Sequence, residues 1–178
     1  MTVVESVVES VVVRDLLLRQ FDVAWQLAWH HLETLSTDEC LWRPADRGLH
    51  VRQTADGWVA DWPTHEGYEL GPSSAAWISW HWLYWWHTAI DYTWGRAELT
   101  RDAVSWPGSA DALRLELRTL HDRWRAALLA TDDARLAATE HVRWPFTGRS
   151  LADLFAWANM ELTKSAAELG AVRFSYPR

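Results

Sequence analysis

Cysteine and lysine each occur once in this chain of 178 residues, as Cys40 and Lys164. A single thiol can form no internal disulfide, so nothing staples the fold covalently, and the composition suits a reducing compartment. No apolar run approaches the roughly 18 residues of a membrane span. The opening MTVVESVVESVVVRD carries Glu5 and Glu9, where a secretory signal needs basic residues followed by an unbroken apolar stretch. These absences predict a soluble, cytoplasmic protein with no membrane partner. Positive charge is also short: 17 Lys+Arg against 24 Asp+Glu leave a formal charge of −7. A nucleic-acid surface needs clustered positive charge, so no nucleic-acid partner is expected. The chain also lacks a phosphate-cradling Gly-rich loop, a His-Glu-x-x-His and a Gly-x-Ser-x-Gly.

What the chain has in excess is tryptophan, 15 residues within a composition that is 49% hydrophobic. Large rings fill wide gaps between helices. The length suits one ordinary domain, residues 1–178, with a sizeable core. No internal repeat or low-complexity tract divides it.

Four long helical patterns organise the sequence. The first spans about Val12 to Leu35, with Leu17, Phe21, Ala24, Trp25, Ala28 and Leu32 recurring at three- and four-residue steps. The second starts at Ser73 or Ser74 and stops at Gly95, and is apolar nearly all round, which predicts a central place. Ser109 caps a third that reaches about Leu129. The fourth follows a Ser150/Asp153 capping box and runs from Leu151 to Leu169, with Gly170 just beyond. Between the first two, Ala45 to Pro72 is irregular and rich in Gly and Pro. HVRQTADGWVADW reads there as a hairpin turning at Asp56-Gly57. A connection this long is often a functional lid.

Three segments taken together, LSTDECLWRP, SSAAWISWHWLYWW and SLADLFAWANMELTKSAAELGAVRF, resemble the DinB/YfiT-like superfamily in their order and spacing. The turns Trp106-Pro107-Gly108 and Trp144-Pro145-Phe146 are similar to those of actinobacterial members. The resemblance covers nearly the whole chain. It implies an all-α, up-down four-helix bundle with a long loop between the first and second helices, and a homodimer. Members with an intact site hold a divalent metal through three His, one on the second helix and two from a His-x-x-x-His pair on the last. Residues i and i+4 share a helix face, so two imidazoles can reach one ion, and a fourth position stays open for water or substrate. That centre is linked to thiol-dependent transferases, some using mycothiol or bacillithiol.

Carried over by position, His81 matches the second-helix ligand, while Lys164 and Glu168 stand where the family has His-x-x-x-His. Protonated Lys is a poor ligand, so His81 and Glu168 are the metal ligands left. The expectation is no cofactor, or a weakly bound zinc or nickel ion. Glu161, Lys164 and Glu168 form one stripe of the last helix that continues into Leu154 and Trp157. Such a stripe reads as an exposed ion-pair ladder or as a partly buried polar cluster. His81 likewise reads as a hydrogen-bonded structural residue or as a functional one. His30 and His31 point to different parts of the first helix, and His87 lies on another face from His81. His50 and His65 could cover a cleft, His121 and His141 have no supporting partners, and Cys40 reads as a buried inert thiol.

Three functions compete. One is a small-molecule transferase or hydrolase, thiol-dependent as the resemblance implies, with His81, Lys164 and Glu168 as its catalytic set. The second is a non-enzymatic binding or sensing protein. It would hold a small-molecule ligand in an aromatic cleft between the second and last long helices, formed by Trp77, Tyr84, Trp85, Trp157 and Glu161. The third is a structural or oligomeric module with surplus Trp at its interface.

Overall fold

A computed structural model describes residues 3–63, 70–95, 99–143 and 146–177, with side chains from Val13 onward. His65 and the turn residues Trp144 and Pro145 lie outside the described residues. The chain is mostly helical. Four long helices carry it: α1 (Val3–Leu32), α3 (Ala75–Trp94), α4 (Ala110–Leu129) and α6 (Leu151–Ser175). Two short helices, α2 (Thr37–Leu41) and α5 (Asp133–Ala137), sit in the connections, with one 3-10 turn at Arg101–Ala103. Among the described residues, strand is confined to β1 (Val51–Thr54) and β2 (Gly57–Ala60).

The sequence places the helix ends by their caps. Ser74, Ser109 and Ser150 each accept a hydrogen bond from the backbone N–H three residues on, and Asp153 completes the box with Ser150. Gly95 ends α3 as expected. Three boundaries differ from the sequence reading. Helix α1 begins at Val3, ahead of Val12, through a Val-rich stretch of weak intrinsic helix propensity that continues the packed segment behind it. It also stops at Leu32, because the Ser36/Glu39 capping box opens α2 just beyond. Helix α6 continues through Gly170 to Ser175.

The hairpin is antiparallel, with Val51 opposite Ala60 and Thr54 opposite Gly57, so Ala55-Asp56 makes the turn. Gly57 opens β2 at φ 127°, a conformation in which a Cβ is strained.

Each long helix packs against two others: α1 on α4 and α6, and α3 on α4 and α6. One continuous core runs through all four. Leu17, Phe21, Ala28 and Leu32 come from α1, Trp82, Leu83 and Trp86 from α3, Leu113, Leu117 and Trp124 from α4, and Leu154, Leu162 and Leu169 from α6. The tryptophan excess is largely structural, since Trp80, Trp82, Trp86, Trp106 and Trp124 are among the largest fully buried side chains. Trp80 Nε1 donates to Val104 O and Trp106 Nε1 to Ser79 Oγ, tying the α3–α4 connection to α3.

Two arginines close the C-terminal end of α1, where helical carbonyls lack partners. Arg114 of α4 donates to Leu32 O and Leu35 O, and Arg173 of α6 donates to His31 O and Thr34 O. Arg173 also pairs with Glu39 of α2 at 3.2 Å. Burial alone would raise the Glu39 pKa. Hydrogen bonds from Ser36 and Arg173, with the Arg173 charge, outweigh it and hold that carboxyl below its usual range. Among the described residues, no helix is long and apolar enough to cross a membrane.

Candidate functional site

Helix α3 enters from its Ser74 cap with Trp77, His81 and Trp85 at four-residue steps, so all three project from one face. Helix α6, packed on α3, presents Glu161, Lys164 and Glu168 on its own stripe. These six residues line one cleft of about 730 Å³, whose remaining wall among the described residues is Leu49, Trp62, Pro63, Leu70 and Ser73 from the α2–α3 connection. A cleft of this size is in the range of small-molecule sites.

His81 sits between two indoles. The Trp77 ring stacks on it with centroids 5.0 Å apart, and the Trp85 ring meets it edge-on at 5.7 Å. Trp85 Nε1–H donates to His81 Nε2 at 2.6 Å. A ring nitrogen that accepts carries no proton, so the neutral imidazole holds its hydrogen on Nδ1. That Nδ1 is buried without a hydrogen-bond partner among the described residues. Burial, and next the positive charge of Lys164, push the His81 pKa down to about 3. His81 is therefore uncharged at neutral pH, with its Nε2 lone pair already engaged.

The α6 stripe is an unequal ion-pair trio. Lys164 Nζ lies 3.3 Å from Glu168 Oε2 and 3.9 Å from Glu161 Oε2. The Glu161 side chain is the most enclosed, 19% exposed against 41% for each of the other two. Its Oε2 is buried and accepts no hydrogen bond among the described residues. Burial raises the Glu161 pKa and the Glu168 charge adds to it, while Lys164 opposes both.

Of the residues singled out from sequence, His81, Lys164, Glu168, Trp77, Trp85 and Glu161 share the cleft. Tyr84 and Trp157 stand behind its wall. Tyr84 meets Trp62 and Trp85 edge-on and stacks on Trp80, and Trp157 meets Trp85 edge-on at 5.5 Å. Burial raises the Tyr84 pKa, and nearby Arg101 opposes the rise. Leu49, Trp62, Pro63, Leu70 and Ser73 are additions from the long connection, whose irregular pattern does not say which side chains face inward.

Among the described residues, His31, His50, His87 and His121 do not line the cleft. His31 lies over Gly170 with Arg173 and Phe174 nearby, away from the cleft. His87 bonds Glu116 of α4 at 2.8 Å. His50 is buried at the base of the hairpin, with Nε2 against Ala45 O. His121 has the partners its sequence context did not reveal: its ring stacks on Phe21 and Trp25 and its Nδ1 meets Asp122. Cys40 is fully buried, and burial pushes its thiol up to about 12, so it is no nucleophile.

The three-His metal centre that the resemblance implies does not fit these residues. A cation, Lys164, occupies one ligand position, and the Glu168 carboxylate at the other is paired with it. The third donor, His81 Nε2, accepts the Trp85 N–H. Among the described residues, no three His, Cys, Asp or Glu are grouped so as to hold an ion.

A family model of the DinB superfamily matches residues 20–167, which takes in α3 and α4 whole, α1 from Gln20 onward and α6 as far as Ala167, so the described cleft residues other than Glu168 fall within the match. The chain belongs to the DinB superfamily. Neither curated proteins nor solved structures give a match.

Proposed function

We propose that this chain is a small-molecule binding protein of the DinB superfamily, taking an apolar or aromatic ligand into the cleft between α3 and α6. One observation carries the reading. An indole-walled cavity of about 730 Å³ faces a short polar stripe, and two buried polar atoms on its lining residues, His81 Nδ1 and Glu161 Oε2, make no hydrogen bond among the described residues. Buried polar groups are normally bonded, and a ligand entering this cleft is one source of the missing partners. The transferase or hydrolase reading asks more of the same residues. It needs a metal-activated thiol or a general base near neutral pH, and His81, with a pKa of about 3, is a weak base. Binding is the function the geometry supports best.

The test is a ligand-observed NMR screen of aromatic fragments against the wild type and against Ser73→Trp, which fills the cleft from its rim. Fragments that bind the wild type should lose binding to the variant while its far-UV circular dichroism stays helical. Equal binding to both proteins would place the ligand elsewhere and end the proposal.

A further inference from the structure

The described lining of the cleft is uneven in charge. Among the described residues, its charged side chains are Glu161, Lys164 and Glu168, two carboxylates against one ammonium, and His81 is neutral. The balance is also uneven in space. Lys164 stands closer to Glu168, at 3.3 Å, than to Glu161, at 3.9 Å, and Glu161 Oε2 accepts no hydrogen bond among the described residues. Glu161 is thus the surplus acceptor: enclosed, short of a donor, and one helical turn from Trp157, whose ring packs on Trp85.

The rest of the wall suits the same kind of ligand. The faces of Trp62, Trp77 and Trp85 are electron-rich, and indole is the best aromatic partner for a cation. One of them already holds a cation, because the Arg101 guanidinium lies over the Trp62 ring at 5.1 Å. An anionic ligand would meet two carboxylates and a lysine that is already paired. A neutral one would leave Glu161 without a charged donor.

Resting on the binding reading above, we infer that the ligand is an aromatic or apolar amine whose protonated nitrogen donates to Glu161 Oε2 while its ring lies among the cleft tryptophans. The bound amine balances the described lining, two positive charges on two carboxylates. A charge-assisted N–H···O bond in an enclosed site is the stronger kind, and it discriminates against analogues that lack the donor.

Three probes sharing one ring separate the contributions: tryptamine (cationic), 3-methylindole (neutral) and indole-3-acetate (anionic). Each is titrated calorimetrically into the full chain at neutral pH. Tryptamine should bind about tenfold tighter than 3-methylindole, and indole-3-acetate should be weakest. Glu161→Gln should bring tryptamine down to the level of 3-methylindole and leave 3-methylindole itself unchanged. Lys164→Met, at a half-exposed position, should act in the opposite direction and tighten tryptamine severalfold. Equal affinities for tryptamine and 3-methylindole, or a preference for the acid, would overturn the amine and leave the aromatic cleft standing. No binding by any of the three would remove the cleft reading and the amine with it.

Discussion

At the scale of single residues, His81 governs how this molecule responds to acid. Its folded pKa is depressed from 6.5 to about 3, first by burial and then by Lys164. Below pH 6.5 the unfolded chain takes up a proton that folded His81 refuses. The contribution to stability is therefore complete above that value and is lost progressively as pH falls toward 3. Its slope approaches about 1.4 kcal/mol per pH unit for one proton. Urea unfolding of wild type and His81→Gln at pH 7.5 and pH 5 should show the wild type losing more stability between the two. Parallel losses would mean that His81 titrates normally. The same residue marks how much of the site could be read in advance. His81, Lys164, Glu168 and Glu161 were legible, because helical spacing and the family's segments place them on two facing stripes. The Trp85 bond to His81 Nε2 was not, since a spacing of four residues brings two rings together without saying which edge meets which nitrogen. Leu49 and Trp62 were not either, because their place in the wall depends on how an irregular connection folds back.

At the scale of elements, serine caps mark the starts of α4 and α6 in the sequence as in the structure, and of the two candidates for α3, Ser73 and Ser74, the structure uses Ser74. Capping is a local hydrogen bond, so local sequence reports it. The end of α6 was misread because Gly170 looks like a terminator, and the reason it is a glycine is tertiary. A Cβ there would stand 2.7 Å from His31 Nε2 on α1, so Gly170 is where the two helices approach closely. Two effects of opposite sign meet at this position. Alanine gains about 1 kcal/mol of helix propensity over glycine. Against that, it displaces a half-buried ring that touches Phe174. Gly170→Ala should therefore be destabilising in the wild type and stabilising in a His31→Ala background. A double-mutant cycle by chemical denaturation should return a coupling of about 1 kcal/mol or more. Additive effects would mean that the glycine is retained for another reason.

For the whole molecule, the deciding feature is that the four long helices contribute to one uninterrupted core. The core also takes in Val51 from the hairpin and Leu136 from α5, so the short elements are anchored to the same packing. Arg114 and Arg173 tie the end of α1 to α4 and α6, and buried Asn159 of α6 donates to Leu17 O of α1. No helix here can keep its apolar face covered if a neighbour leaves. Partial unfolding would expose large indoles such as Trp82, Trp86 and Trp124, a cost that makes intermediates scarce. The expected outcome is one cooperative transition in urea, with far-UV circular dichroism and tryptophan fluorescence superimposed. The two probes weigh the molecule differently. Dichroism counts helix everywhere, whereas emission reports the surroundings of the 15 tryptophans, six of them on α3 and the other nine spread along the rest of the chain. A separable unit at either end of the chain would split the curves into two midpoints that the two probes weigh unequally. Superimposed curves mean that residues from α1 to α6 fold as one domain, and that a ligand held between α3 and α6 should shift both curves by the same amount.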